Sequence, residues 1–327
     1  MNTGENLSFS DKKTNALWPV SRVIALTHAW DASQRGVALA IMAALGFSFK
    51  AIFVKLSYQV AAIDASTLLA LRMCMALPLF LLMGGSVWSS WRSLSAQDKW
   101  KITGLGTVGY YGSSLLDFMG LEYISAGLER LILFTYPAIT VILGIVFWRK
   151  RADKMLWLAL TISYLGIALG FVHDASLSRD LKSLALGGGL VFGCAVLYAL
   201  YNAGSENLIQ RLGAMKFTQL SLCVTTFAVV LHFLVQHTPT KALQMPWQVY
   251  MYSLAMAVFS TVLPIFWQAS AIRYLGAAKA VLIGTLGPVL TIFFSWWLLN
   301  EPISVEQMLG TALVVGGVLL VGKSKAS

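Results

Sequence analysis

Apolar residues fill most of this chain in blocks of about 20, the length of helix that crosses the hydrocarbon core of a bilayer, with short polar or Gly- and Pro-containing connectors between them. The pattern predicts ten transmembrane helices, near residues 36–56, 65–87, 101–121, 128–148, 156–172, 184–204, 217–235, 249–271, 280–300 and 305–322. Composition agrees: the chain is 57% hydrophobic and 12% charged, with a mean hydropathy of +0.72, a balance that no soluble core of this length would hide. Residues 1–35 carry Lys12, Lys13, Arg22 and Arg35 around a short apolar stretch at 23–26. That stretch is thin for a signal-peptide core, so the segment is read as a cytoplasmic tail lying on the membrane surface.

Charge refines this picture. The net charge of +10 would suit nucleic acid, but the basic residues are sorted by membrane side. With the N-terminus cytoplasmic, the tails and inner loops hold 17 Lys and Arg, including RKRADK at 149–154, against about four outside. That asymmetry predicts both termini in the cytoplasm and no nucleic-acid partner. Cys74, Cys194 and Cys223 fall inside predicted spans without the spacing of a zinc or haem site.

A shift of 151 residues superposes the two halves without a gap, pairing Tyr123 with Tyr274, Leu131 with Leu282, Pro137 with Pro288, Thr140 with Thr291 and Gly166 with Gly317. Gly36 meets Gly187 and Thr67 meets Thr218 in the same register. The domains are therefore a tail at 1–35, a five-helix repeat at 36–172, a second at 184–322 and a tail at 323–327. An odd number of helices per repeat inverts the second copy in the membrane. Loop charge follows: basic RKRADK corresponds to NEPIS at 300–304, which has no basic residue.

Ten spans in two five-helix halves, Arg72 in the second span, prolines at the centres of the fourth and ninth, and NEPIS ahead of a Gly-rich tenth helix form a recognisable set. In these features the chain resembles the drug/metabolite transporter superfamily, in its EamA-type branch of bacterial exporters, over residues 36–322. It departs from that pattern in the first half, where the acidic residue corresponding to Glu301 is missing. The resemblance implies an all-α protein of the bacterial inner membrane that exports a small solute as a secondary transporter. Within the superfamily the chain is similar to aromatic amino-acid exporters, which implies amino acids, aromatic ones among them, as solutes.

Polar side chains inside a span are costly unless they face protein or water, so their helical spacing points to a lumen. Tyr110, Ser113, Ser114 and Asp117 share one face, Thr261, Pro264, Trp267 and Gln268 another, and Tyr198, Tyr201, Asn202 and Ser205 a third. The matching stripe of the first span is Phe47, Lys50, Ala51 and Val54. Tyr110, Tyr111, Tyr198, Tyr201 and Trp267 would offer ring faces with polar tips to an aromatic or cationic solute. Helix-to-helix packing is the alternative for any single residue. Lys50, Arg72, Asp117 and His232 fall in the outer third, opposite uncharged repeat partners. They form either an outer gate or solute anchor, or a structural pair of Asp117 with Arg72 or Lys50. Lys55, Glu122 and Glu129 are expected at the interface, solvated or snorkelling. Pro137 and Pro288 are candidate hinges, or else static kinks.

Catalytic chemistry is not expected. The sequence has no Walker loop, HExxH or GxSxG, no Cys and His set for a metal or cofactor, and no carboxylate predicted at mid-membrane for a proton relay. The leading reading is a secondary transporter of a small-molecule substrate; its rivals are a carrier of cationic drugs or nucleotide-sugar-like metabolites, a channel, an intramembrane enzyme and a scaffold. The charge asymmetry predicts that cysteine labelling in intact cells finds position 154 inside and position 304 outside, and the opposite result at either would overturn the orientation.

Overall fold

The computed structural model describes residues 31–83, 87–148, 154–177 and 180–323. Most of the predicted N-terminal tail (1–30), most of RKRADK (149–153) and residues 324–327 lie outside the described residues. Among the described residues all regular structure is helical. The first half contains α1 (Ala32–Val60), α2 (Ala65–Met83), a short α3 (Val87–Arg92), α4 (Ala96–Gly104), α5 (Ser113–Gly120), α6 (Ala126–Leu133), α7 (Tyr136–Trp148) and α8 (Lys154–Leu177). The second contains α9 (Leu181–Leu212), α10 (Ala214–Gln236), a short α11 (Pro239–Leu243), α12 (Trp247–Ala257), α13 (Leu263–Leu275), α14 (Ala277–Gly284), α15 (Leu286–Leu299) and α16 (Val305–Lys323). Among the described residues, six helical stretches are long and apolar enough to cross a membrane: α1, α2, α8, α9, α10 and the run from α12 through α13. Shorter apolar helices cover 286–299 and 305–320.

Local chemistry sets the helix ends. α1 begins ahead of the expected residue 36 because Asp31 and Gln34 form a reciprocal capping box, with Asp31 Oδ1 accepting from the Gln34 N–H at 2.7 Å. Pro137 has no N–H to give the Leu133 carbonyl, and the helix is interrupted at Phe134, where ψ is 0°. Pro288 does the same to Gly284, and the interruption is at Thr285, where ψ is −9°. The π-helical stretches repeat as well: Leu105–Gly112 joins α4 to α5, and Val258–Val262 joins α12 to α13.

Contacts between the halves are reciprocal. α1 packs on α13 and α15, while α9, its equivalent in the second half, packs on α5 and α7. A methyl group at Gly36 would strike Tyr274 and Leu275, and one at Gly187 would strike Tyr123 and Ile124. Likewise Gly166 meets Gly310 and Val314, whereas Gly317 meets Ala159 and Ser163. In lipid the apolar effect does not press helices together, so close backbone approach at small residues supplies the packing. Gly166→Leu or Gly317→Leu should therefore cost about 1–3 kcal/mol through overpacking and lower the melting temperature in detergent, with Gly189→Leu, at a position with open space around it, as the silent control.

Candidate functional site

A cavity of about 410 Å³ lies between the two halves. At one end it meets the buried side chains of Arg72, Asp117 and Arg130; at the other it reaches the exposed Ala214 and Ile272. Phe47, Leu133, Phe134, Tyr136 and Ile265 give it apolar walls, and Tyr110, Tyr198, Ser114 and Gln268 give it polar tips.

The closed end is built on one lysine. Lys50 Nζ lies 2.7 Å from Asp117 Oδ2 and donates to Glu129 Oε1 at 3.3 Å, so α1, α5 and α6 meet at a single ammonium. Both carboxylates are buried and lie within hydrogen-bonding reach of each other. Two arginines flank them. Arg72 donates through Nε and Nη2 to Thr261 Oγ1 at 3.1 and 3.0 Å, with its guanidinium 5.5 Å from the centre of the Phe118 ring. Arg130 donates through Nε to Thr291 Oγ1 at 3.0 Å and through Nη2 to the Phe47 carbonyl. The hydroxyl of Thr261 donates to the Met256 carbonyl five residues back, at 2.9 Å, which is the spacing of a π-helix.

Above this group the halves are tied by a polar clamp at the start of α6. Asp174 accepts from the Ser125 N–H and hydroxyl at 2.9 and 2.8 Å, and Glu301 accepts from the Ala126 N–H at 3.2 Å. Lys55 donates to the Ile124 carbonyl at 2.9 Å and lies 3.8 Å from Glu301. Burial pushes the Glu301 carboxyl above its ordinary range, against the pull of Lys55 and the Ala126 N–H. Asp64, at the same end, pairs with Lys241 at 2.6 Å and contacts His237 at 3.2 Å. Burial opposes ionisation there too, but the hydrogen bonds from Lys241, Ser66 and Thr67 prevail and hold its carboxyl low.

Of the residues singled out in the sequence, Lys50, Arg72, Tyr110, Ser114, Asp117, Pro137, Tyr198 and Gln268 line the cavity. Tyr111, Tyr201, Asn202, Trp267 and Pro288 are not among its lining residues. Tyr201 is buried behind two that are, its ring 5.6 Å from that of Tyr110 and 6.2 Å from that of Tyr198. Tyr111 faces His232 at 5.8 Å, and Pro288 is buried beside the lining residue Gly287.

One expectation is corrected. Glu129 is not a solvated interface residue but is fully buried, because the clamp from Asp174 and Glu301 covers the start of α6 and turns its first turn toward Lys50. Arg130 went unnoticed in the sequence for the same reason: it lies close to a predicted span end, where charge is ordinarily solvated. Their adjacency just inside an apolar block was the available signal.

The fold and cavity define a polytopic helical membrane protein with a polar, aromatic chamber between its halves. The chain belongs to the EamA-like transporter family, whose model matches it twice, over residues 34–172 and 185–323. It is 28% identical to YcbK of Bacillus subtilis (strain 168), an uncharacterized transporter, across 88% of this chain and 91% of that protein. It is 24% identical to the uncharacterized transporter sll1319 of Synechocystis sp. (strain ATCC 27184 / PCC 6803 / Kazusa), across 89% and 94%. A protein of known crystal structure shares the fold with a TM-score of 0.60 at 17% identity, across 87% of this chain and 95% of that one. Family membership makes this a multi-pass membrane transporter of a small-molecule solute.

Removing one partner from a buried charge group costs more than removing all of them. Lys50→Met should therefore cost about 3–5 kcal/mol, because Asp117 and Glu129 lose the ammonium they share. The melting temperature of the purified variant, with wild type as the reference, provides the check.

Proposed function

We propose that the protein has ten membrane spans in two inverted five-helix repeats and exports a small solute by alternating access from the bacterial inner membrane, with both termini in the cytoplasm. The observation that carries this reading is the one-ended cavity between the halves, closed at the Lys50 group and reaching exposed residues at Ala214 and Ile272. Two equivalent halves packed in inverted orientation can exchange roles and so open the same cavity to either side. The family match displaced by 151 residues, the paired helix breaks and the reciprocal glycine contacts support the repeat. The loop charges support its inversion, and on that topology the open end faces the cytoplasm.

Amino acids, aromatic ones among them, suit a chamber that presents Tyr110, Tyr136 and Tyr198 beside ionic groups. Arg72 acts as a gate, since its bond to Thr261 joins the halves at the closed end. The helix breaks ahead of Pro137 and Pro288 act as hinges, bending more easily in the second half, where Gly284 and Gly287 precede the proline. Saturable, counterflow-competent uptake into proteoliposomes, screened across amino acids, cationic drugs and nucleotide sugars, tests the transport reading; unsaturable conductance would favour a channel.

Hinge action makes a separate prediction. With Cys74 and Cys223 replaced by serine, the cavity-lining Cys194 reports access. Pro137→Ala and Pro288→Ala should shift its side-specific labelling in opposite directions, because each straightens one of two inverted elements. Unchanged labelling and turnover in both folded variants would remove the hinges.

A further inference from the structure

We infer that the transported solute carries an anionic group, a carboxylate or equivalent monoanion, which docks between Arg72 and Arg130, and that a cationic group on the solute is dispensable. The inference rests on the transport reading above and names the chemical class of its substrate.

Charge balance carries the argument. Three cations, Lys50, Arg72 and Arg130, meet two carboxylates, Asp117 and Glu129, in the described part of the closed end. Lys50 is committed to both acids, at 2.7 and 3.3 Å. The hydrogen bonds of the two guanidiniums go to neutral oxygens, Thr261 and Tyr110 for Arg72, Thr291 and the Phe47 carbonyl for Arg130. For counter-charge they draw on the same two carboxylates as Lys50, Asp117 for Arg72 and both acids for Arg130, so three cations share two acids. With both acids ionised the group is one negative charge short, and a monoanion supplies it.

Accessibility selects the same sign. Lys50, Arg72 and Arg130 line the cavity, and so does Asp117, but both oxygens of Asp117 are covered. Glu129 is not a lining residue, and its Oε2 is likewise covered. A solute therefore meets cationic groups, with the acids hidden behind Lys50, so an ammonium finds no free carboxylate. Each guanidinium has five N–H groups, more than its partners named above occupy, and the planar fork suits a carboxylate.

Binding would also couple to motion. Both arginines belong to the first half, and both threonines to the second. An anion that draws N–H groups from Thr261 and Thr291 loosens two ties between the halves, which is the differential contact a solute needs to move a two-state equilibrium.

The test uses a probe that does not depend on the solute's identity. In protein carrying Cys194 alone, the anionic reagent sulfonatoethyl methanethiosulfonate and its cationic trimethylammonium analogue are compared, each rate normalised to free thiol. Taking the ratio of the two rates cancels any change in Cys194 thiolate content. The anionic reagent should be favoured about tenfold. Arg72→Gln and Arg130→Gln should each lower that preference, whereas Arg72→Lys and Arg130→Lys should retain it. A ratio of one or a cationic preference, or a ratio unmoved by both Gln variants, overturns the inference. In proteoliposomes, phenylacetate and phenylalanine should compete for uptake of any solute the screen finds, and phenylalanine amide and phenethylamine should not; the reverse order also overturns it. An anionic preference at Cys194 in a protein that transports nothing would leave the anion site standing and sink the transport reading instead.

Discussion

A single ammonium shared by two buried carboxylates is the constraint to which the rest of the closed end is fitted. An ion inside a low-dielectric bundle is costly unless a counter-charge or hydrogen bonds compensate it, because the desolvation cost runs to several kcal/mol per ion. Lys50 comes from α1, Asp117 from α5 and Glu129 from α6, so satisfying one charge fixes three helices against one another. The clamp above follows from the same requirement. Asp174 takes the N–H of Ser125, the residue that caps α6, and Glu301 takes the first N–H of the helix, at Ala126, beside the buried acid they precede.

The π-helical stretches answer a related problem. Tyr110 and Thr261 stand at equivalent positions of the two halves, one in each stretch, and both line the cavity. A π-turn displaces the following residues relative to an ordinary helix, and it frees Thr261 to donate to Met256 while accepting from Arg72. The local backbone irregularity thus creates a hydroxyl acceptor where the guanidinium needs one.

Much of this was legible in the sequence, because bilayer thickness and helix rise together dictate the block length, and because Pro137 and Pro288 each lack the N–H that an unbroken helix would need, although Pro78 is carried inside α2 without a break. Capping was legible only after the fact: Asp31 with Gln34 moves the start of α1 by a few residues. Stripes on single helices located the cavity through Lys50, Tyr110, Asp117 and Tyr198, yet they could not separate Tyr201, which lies behind other rings, from residues in front of it. Depth was the harder variable. Glu129 and Arg130 lie near a predicted span end, and only the folding of Asp174 and Glu301 over that end, from positions distant in the chain, makes it an interior. Hydropathy counts residues along one helix and carries no information about what another segment lays across its end.

Every ionised side chain of the central group belongs to the first repeat. At the matching positions the second repeat carries Tyr201 for Lys50, Cys223 for Arg72, Gln268 for Asp117, Ala280 for Glu129 and Val281 for Arg130. On the proposed inverted arrangement the two halves share a backbone but not an electrostatic load. The two access states then cannot be mirror images in energy: one is sealed by a charge lattice, the other by neutral and apolar side chains. The resting population of such a carrier leans toward one side, and its apparent affinities from the two faces of the membrane differ by that lean, so a duplicated fold of near-symmetric shape becomes kinetically lopsided while the driving gradient still sets the direction of net flux.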